Sequence, residues 1–448
     1  MTGAPASLTA RYLERFRSRW SGASGESVQV LPATSAQRRF AVLEVMAGRR
    51  LAVPLFFSLP CGLVDEDRLR RALERVADRH PALRCTVRIR NGLVVQEWSA
   101  ERSPDVASVR IGSSDDAGRA AAQAIEVLED HTAAGPLHAV LLRGPERDLI
   151  GFVFDHAVVD ESSLRLFTTD LFLVLEHLDA PQRLGERPGA PWADFRDAVW
   201  AHLEREAAAA GGTRTDYWVR KLTPVAARAL TTPSVGTGGT SVDVVEPPPL
   251  PLPEAGARPV LFPLALASLH RVLRSAGASP PTSIGYAWGG RQDSTDRVIG
   301  CFMNTVLSTD GPGPWNAPEQ GLAAFVDDWW QDLEHADVPF DEVVTAVDRV
   351  ARSSWPGTAD ALMVFEDLRN RAPLRLSGQA VEEWLSPVLS PKAELSTALR
   401  LDGDGLHLRL LTAPGHSWSA QAAEFAETWR GQLADLLDAY AHHKNPGG

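Results

Sequence analysis

One stretch shows best how the chain folds: Asp148-Leu149-Ile150-Gly151-Phe152-Val153-Phe154-Asp155-His156-Ala157-Val158-Val159-Asp160-Glu161-Ser162-Ser163. Residues 149–154 are short, apolar and partly β-branched and aromatic, which is typical of a buried strand. Apolar residues recur at helical spacing over 164–178, and Ser162 or Ser163 can cap the helix that this spacing predicts. His156 is therefore expected where a rigid strand passes into a turn, a position that suits a general base.

Composition and charge narrow the possible functions. The 448 residues carry a net charge of −12, and so acidic a chain is a poor candidate for binding nucleic acid. Cys61, Cys85 and Cys301 show neither metal-ligand spacing nor a disulfide framework, so we expect a cytoplasmic protein without a bound metal. The N-terminus has no signal pattern, and no apolar run approaches the roughly 20 residues that span a bilayer. No membrane partner is expected.

The order of the predicted elements favours an α+β or α/β sandwich, with helices packed on mixed sheets. Asn91-Gly92 predicts a hairpin between strands at 85–89 and 93–98. Further strands are expected at 137–142, 259–263, 298–308, 360–366, 394–401 and 405–412. Helices are expected at 7–20, 65–78, 114–130, 192–209, 213–222, 264–276, 318–335 and 418–441.

A change of composition suggests where the chain divides. Residues 229–259 contain a glycine-rich run and five prolines between Pro247 and Pro253, which is typical of an extended crossing segment. We therefore predict an N-terminal helical arm at 1–26, a first lobe with the His156 motif at 27–228, and a second lobe with crossing segments at 229–448. The two lobes contain similar elements without a sequence repeat.

Six short stretches resemble, in order and spacing, the motifs of the condensation domains of nonribosomal peptide synthetases. They lie at 35–39, 79–84, 154–163, 192–200, 299–305 and 335–342. That family belongs to a superfamily with chloramphenicol acetyltransferase-like lobes. The resemblance implies two such lobes in a V shape with a central tunnel.

The resemblance also implies a reaction. His156 matches the second histidine of a His-His-x-x-x-Asp-Gly motif, at which an acceptor amine or hydroxyl attacks a donor thioester to give an amide or an ester. An imidazole with a pKa near neutrality can take or orient the proton that is released. By the same match, Asp160 is structural and pairs with an arginine of the other lobe, for which Arg291 is the candidate. Asn304 is expected near the centre of the tunnel.

Two positions depart from the motif. Asp155 stands in place of the first histidine, and Glu161 in place of the glycine. Asp155 either holds His156 in one tautomer or replaces a structural histidine. Glu161 binds an acceptor amine, raises the pKa of His156, or blocks the tunnel. A blocked tunnel would make the chain a non-catalytic domain that recruits a carrier protein or a tailoring enzyme.

A further alternative comes from Asp155, Asp160 and Ser163, which satisfy the Asp-x-x-x-x-Asp-x-x-Ser pattern of heterocyclization domains. The favoured prediction is a free-standing condensation-type acyltransferase of natural-product or antibiotic biosynthesis, with Asp155, Glu161, Ser163 and Asn304 near its substrates. The resemblance implies that the chain itself binds no cofactor. A carrier protein would dock in trans and present its phosphopantetheine arm, and the acceptor would be a small molecule or carrier-bound.

Overall fold

A computed structural model describes residues 7–20, 28–130, 135–180, 190–229, 242–252, 258–310, 318–369, 371, 373–385, 393–412 and 418–444. The helices are α1 Leu8–Trp20, α2 Ser35–Ala47, α3 Glu66–Arg79, α4 Ser114–Glu129, α5 Glu161–His177, α6 Pro191–Ala209, α7 Gly212–Ala229, α8 Leu261–Ser275, α9 Asp293–Asp296, α10 Pro318–Glu334, α11 Phe340–Ala351 and α12 Ala422–Lys444. The strands are β1 Val28–Pro32, β2 Ala52–Pro60, β3 Cys85–Arg90, β4 Leu93–Ser99, β5 Asp105–Arg110, β6 Leu137–Arg143, β7 Arg147–Asp155, β8 Asp243–Val245, β9 Ser283–Trp288, β10 Asn304–Thr309, β11 Ala361–Asp367, β12 Leu374–Leu376, β13 Gln379–Trp384, β14 Leu395–Leu401 and β15 Leu406–Thr412.

The chain divides into two compact units, each with its own core. The first unit comprises Met1–Ala208, Gly289–Met303 and Ala372–Val388, and the second comprises Ala209–Trp288, Asn304–Arg371 and Leu389–Gly448. The division falls some twenty residues before the predicted lobe boundary. The reason is that α7 buries Trp218, Leu222 and Val225 in the core of the second unit.

The first unit is built on a six-stranded mixed sheet in the order β12-β13-β2-β7-β6-β5. Only β5 and β6 are parallel among these pairs, and the central strand β7 is buried from Asp148 to Asp155. A smaller sheet, β1-β4-β3, contains the predicted hairpin. Asn91 and Gly92 adopt positive φ angles of 50° and 73° there, which a tight hairpin turn requires.

The second unit repeats this architecture with a six-stranded sheet in the order β10-β9-β11-β14-β15-β8. Strand β11 is parallel to both of its neighbours, β9 and β14, while the remaining pairs are antiparallel. Helices α8 and α12 contribute many of the side chains in its core, including the fully buried Trp429. Helices packed on mixed sheets in both units confirm the predicted fold class.

Some predicted elements were wrong. Residues Arg258–Val260 form a 3-10 turn that continues into α8, so the strand expected at 259–263 is absent from this described segment. Its apolar run serves the helix, which buries Leu261 and Leu264 on the core. The strand expected at 298–308 begins only at Asn304, because the backbone of Gly300 and Phe302 bonds instead to side chains of the first unit. None of the helices in the described ranges has the length and apolar character needed to cross a membrane.

Candidate active site around His156

The end of β7 holds the turn that carries His156. Residues His156–Val158 form a single 3-10 turn between β7 and α5. The backbone N–H of Asp155 donates to Pro136 O at 2.8 Å, and that of His156 donates to Leu51 O at 2.8 Å. The turn is therefore tied to the chain on both sides of β7, which fixes the position of the imidazole.

The imidazole of His156 is half-buried and stacks on Phe40 of α2, with the ring centroids 4.4 Å apart and the planes inclined by 28°. Its Nδ1 lies 3.4 Å from Val159 O. With Nδ1 as the donor of this contact, the lone pair of the neutral ring is on Nε2. An aromatic face against the ring also stabilises its cationic form. Both features suit a group that accepts and releases a proton.

Asp155 is buried beside this turn. Its Oδ1 accepts from the backbone N–H of Ala157 at 2.8 Å, so the carboxylate caps the 3-10 turn. Asp155 thus has a structural role in shaping the turn that presents His156.

Asp160 begins α5 as its N-cap residue. Its Oδ1 accepts from the Ser163 N–H at 2.9 Å, and its Oδ2 accepts from the Phe302 N–H at 3.1 Å. The prediction that Ser162 or Ser163 caps this helix was therefore wrong. A carboxylate one turn earlier fills the role better, because it also accepts hydrogen bonds from outside the helix.

Arg291 neutralises Asp160 in the interior of the first unit. Its Nη2 donates to Asp160 Oδ1 at 2.6 Å and its Nε to Oδ2 at 3.2 Å, with both side chains about 5% exposed. The resemblance implied that this arginine comes from the other lobe, but Gly289–Met303 belongs to the same unit as Asp160. The other donors reach the Ser163 hydroxyl and the carbonyl oxygens of Thr295, Val298 and Gly300.

Ser163 completes this cluster and is fully buried. Its Oγ lies 2.8 Å from both Asp160 Oδ1 and Gly300 O, and it accepts from the Gly300 N–H at 3.0 Å. Gly300 has no room for a side chain, since a Cβ would lie 2.3 Å from the Phe302 ring. Asp160, Ser163 and Arg291 thus hold the start of α5 against the Gly289–Met303 segment.

Glu161 is the first residue of α5 and is exposed. A carboxylate at this place interacts favourably with the positive end of the helix dipole. That interaction accounts for a charged residue here without any contact with a substrate.

Asn304 belongs to the second unit, where it starts β10. Its amide nitrogen donates to Ala336 O at 2.8 Å and Val338 O at 2.7 Å, and its Oδ1 accepts from the Phe340 N–H at 3.1 Å. These three bonds fix the turn that precedes α11. Asn304 therefore organises the backbone of its own unit.

The part that α2 plays at this site was not predicted from the sequence. Gln37 of this helix donates from Nε2 to Ala157 O at 2.8 Å and to Gln96 Oε1 at 2.9 Å. Three positions further along, Phe40 covers the imidazole of His156. Gln37 lies in the stretch that resembles the first family motif and Phe40 follows that stretch directly, so their i, i+3 spacing was the available sign that both face one target.

The N-terminus of α2 is itself held in place. Thr34 and Gln37 form a capping box, and the buried Glu206 accepts from the Ser35 N–H at 3.2 Å. Burial by itself would raise the pKa of Glu206, but His202, Arg38 and the Ser35 hydrogen bond outweigh it and lower the pKa. Glu206 therefore stays ionised and anchors the helix that covers His156.

Comparison with known proteins relates part of the chain to one family. Residues 27–232 match the family model of the condensation domain. The matched residues make up a little less than half of the chain, and it is this part that resembles a condensation domain. Tyrocidine synthase 3 of Brevibacillus parabrevis is 24% identical over 391 residues, which are 83% of this chain and 6% of that synthase. The chain thus spans only a small part of that relative.

Solved condensation-domain structures share the fold. The first condensation domain of the calcium-dependent antibiotic synthetase, solved with a substrate analogue, has a TM-score of 0.69 at 14% identity. The superposed part covers 92% of this chain and 97% of that domain's chain. The X-domain from teicoplanin biosynthesis has a TM-score of 0.67 at 18% identity, with 92% and 95% covered. At these identities the likeness concerns the fold alone.

The imidazole of His156 can accept and return a proton from the position in which the turn holds it. Among the described residues, no group of three or more His, Cys, Asp or Glu side chains is arranged to hold a metal ion. An imidazole held on a rigid turn is a group that can serve in general acid–base catalysis.

Proposed function

We propose that this chain is a condensation-type acyltransferase in which His156 acts on the attacking acceptor group. The observation that carries the proposal is the fixed imidazole: its backbone is tied to Leu51, and its ring is covered by Phe40. The imidazole would take or orient the proton of an acceptor amine or hydroxyl as this group attacks a donor thioester carbonyl. An amide or ester forms and the donor thiol leaves, so no covalent enzyme intermediate is needed.

The proposal gives Asp160, Ser163 and Arg291 a structural role. Their hydrogen-bonding groups bind one another and Gly300, which leaves His156 as the proton-transferring group. The heterocyclization alternative would need Asp155 and Asp160 to act on a substrate. Both carboxylates accept backbone N–H groups instead, from Ala157 and from Ser163.

The donor would arrive on the phosphopantetheine arm of a carrier protein, and the exposed face of α2 is our candidate docking surface. Val42, Val45 and Met46 are 57%, 69% and 75% exposed and form one apolar stripe, which is typical of a protein contact site. The opposite face of the same helix holds His156 through Gln37 and Phe40. A carrier bound here would contact the same helix that holds the imidazole in place.

A second candidate function is recruitment without chemistry. It is favoured by Asp155, which stands in the motif position of a histidine and caps the turn. An X-domain from teicoplanin biosynthesis has been solved in complex with OxyB, so a domain of this fold can bind another protein. In this alternative the chain would hold a carrier protein or a tailoring enzyme.

One experiment separates the two. The gene is deleted in its producing strain, and the strain is complemented with wild type, His156→Ala or His177→Ala, the last altering a histidine at the end of α5. Metabolites are compared by mass spectrometry, and the melting temperature of each purified variant is measured to confirm folding. We expect only His156→Ala to fail, with the two uncondensed halves of the product accumulating.

The halves would identify the donor and the acceptor. Full product formation with His156→Ala would overturn the acyltransferase proposal and support recruitment. Met46→Glu then tests the docking surface, since a charge in the apolar stripe should abolish carrier binding without changing the melting temperature. Carrier binding by Met46→Glu at wild-type affinity would exclude this surface.

A further inference from the structure

Glu44 lies on the same face of α2 as the two residues that hold the His156 turn. Positions 37, 40 and 44 are spaced by three and four residues, which aligns their side chains along one side of a helix. Glu44 Oε1 accepts from the Leu51 N–H at 3.4 Å. The carbonyl of Leu51 in turn accepts from the His156 N–H at 2.8 Å. Leu51 thus connects the Glu44 carboxyl group to the backbone of His156.

We propose that Glu44 is a positioning residue for His156, and that the charge on its carboxyl group sets how readily the imidazole takes up a proton. Glu44 acts through Leu51 on the turn and, together with Asp155, through the electric field at the ring. The inference rests on the proposed function, because it gives the carboxyl group a purpose only if His156 transfers a proton.

The surroundings of Glu44 make its charge variable near neutral pH. Burial and the neighbouring Asp155 carboxylate raise the pKa of Glu44 to about 7, while the Leu51 N–H and Arg50 act in the opposite direction. The strands that pack against α2 also carry charged groups, namely Arg88, Arg90 and Glu97, of which Arg90 and Glu97 are paired at 3.4 Å.

A carboxyl group that ionises near pH 7 changes its charge over the range in which an imidazole titrates. While it is ionised, Glu44 stabilises the imidazolium form of His156, and when it is protonated this stabilisation is lost. Two groups coupled in this way do not titrate independently, and the curve of each is broadened. Because of Glu44, the protonated fraction of His156 would change with pH over a wider range than that of an isolated imidazole.

The test is an NMR titration of His156 in the intact protein without substrate. Histidine labelled with 13C at Cε1 gives one signal for each of the 12 histidines, and the signal of His156 is the one lost in His156→Ala. Wild type is compared with Glu44→Gln, which keeps an oxygen that can accept from Leu51 but carries no charge. Glu66→Gln on α3, an exposed glutamate paired with Arg70, is the matched control.

We expect Glu44→Gln to lower the pKa of His156 by roughly half a unit and to turn a broadened curve into a single-step curve. Glu66→Gln should leave both unchanged. A purely structural role for Glu44 predicts a wild-type curve in Glu44→Gln, and that result would overturn the proposal.

A second measurement keeps the proposal testable if Glu44→Gln does not fold. The 13C-labelled carboxyl carbon of Glu44 is titrated in wild type and in His156→Ala, where loss of the imidazolium charge should raise the pKa of Glu44 and narrow its curve. The wild-type Glu44 curve in His156→Ala would overturn the proposal. Because neither titration needs catalysis, failure of this inference is distinguishable from failure of the acyltransferase proposal, which is decided by the products that His156→Ala forms.

Discussion

Arg291 donates hydrogen bonds to both carboxylate oxygens of Asp160, with Nη2–Oδ1 at 2.6 Å and Nε–Oδ2 at 3.2 Å. Both side chains are almost completely buried. The two residues are 131 positions apart in the chain. A bidentate pair fixes orientation as well as distance. It therefore holds the start of α5, and with it the far end of the turn that carries His156.

Replacing Arg291 should destabilise the first unit strongly. Arg291→Met leaves the Asp160 carboxylate buried without its cation, and we expect the free energy of unfolding to fall by about 3–5 kcal/mol. The matched control is Arg70→Met, which breaks an exposed pair with Glu66 and should leave the free energy of unfolding almost unchanged. Urea denaturation followed by fluorescence measures both. An equal decrease in the free energy of unfolding for the two variants would show that the buried pair stabilises the unit no more than the exposed pair does.

Phe40 should raise the basicity of His156 through its aromatic face. Phe40→Leu removes the stacked ring, and the lost cation–π attraction should lower the pKa of His156 by roughly half a unit. Phe40→Tyr keeps the ring and should preserve the pKa. The 13Cε1 titration of His156 gives both values. The same pKa in the leucine and tyrosine variants would rule out an electronic role for the ring.

Glu161 should contribute to helix stability rather than obstruct catalysis. Glu161→Gly places the family's glycine at this position, and we expect a loss of about 1 kcal/mol because a helix-dipole interaction is removed and a glycine enters the first turn. Glu66→Gly is a matched control, since Glu66 follows the N-cap Asp65 of α3 as Glu161 follows Asp160 in α5. The loss of stability in each of the two variants is measured by thermal unfolding. A gain of tenfold or more in product formation by Glu161→Gly would instead show that the glutamate obstructs the site.

His270 should make the second unit sensitive to acid. Its ring is buried, with Nδ1 2.7 Å from Thr282 Oγ1 and Nε2 3.1 Å from Ser308 Oγ, and burial lowers its pKa to about 3. The unfolded chain binds a proton at His270 below about pH 6.5 and the folded chain does not, so the stability present above pH 6.5 is lost as the pH falls.

The expected contribution of His270 is a loss of about 2 kcal/mol between pH 7 and pH 5. Urea denaturation at both pH values measures it in wild type and in His270→Gln, where this part of the pH dependence should disappear. His177→Gln is the control and should keep the wild-type dependence. The same pH dependence in His270→Gln and wild type would disprove the role of this ring.

Local patterns predicted much of the secondary structure. The Asn91-Gly92 hairpin followed from turn chemistry, and the buried strand that leads to His156 followed from a short apolar run. The segment 259–263 was assigned wrongly because a short apolar run does not distinguish a strand from the start of a buried helix. The failure at 298–303 has another cause, since bonds to Ser163 and Asp160, far away in sequence, decide that backbone.

Periodicity and motif order are properties of neighbouring residues, so the class of fold, the likeness to condensation domains and the importance of His156 and Asp160 could be predicted from the sequence. Only the tertiary structure showed that Arg291 lies in the same unit as Asp160, that Phe40 covers the imidazole, and that Glu44 is linked to it through Leu51. Those relationships depend on distances between side chains that are remote in the chain, and packing and buried charge set such distances only when the whole unit has folded.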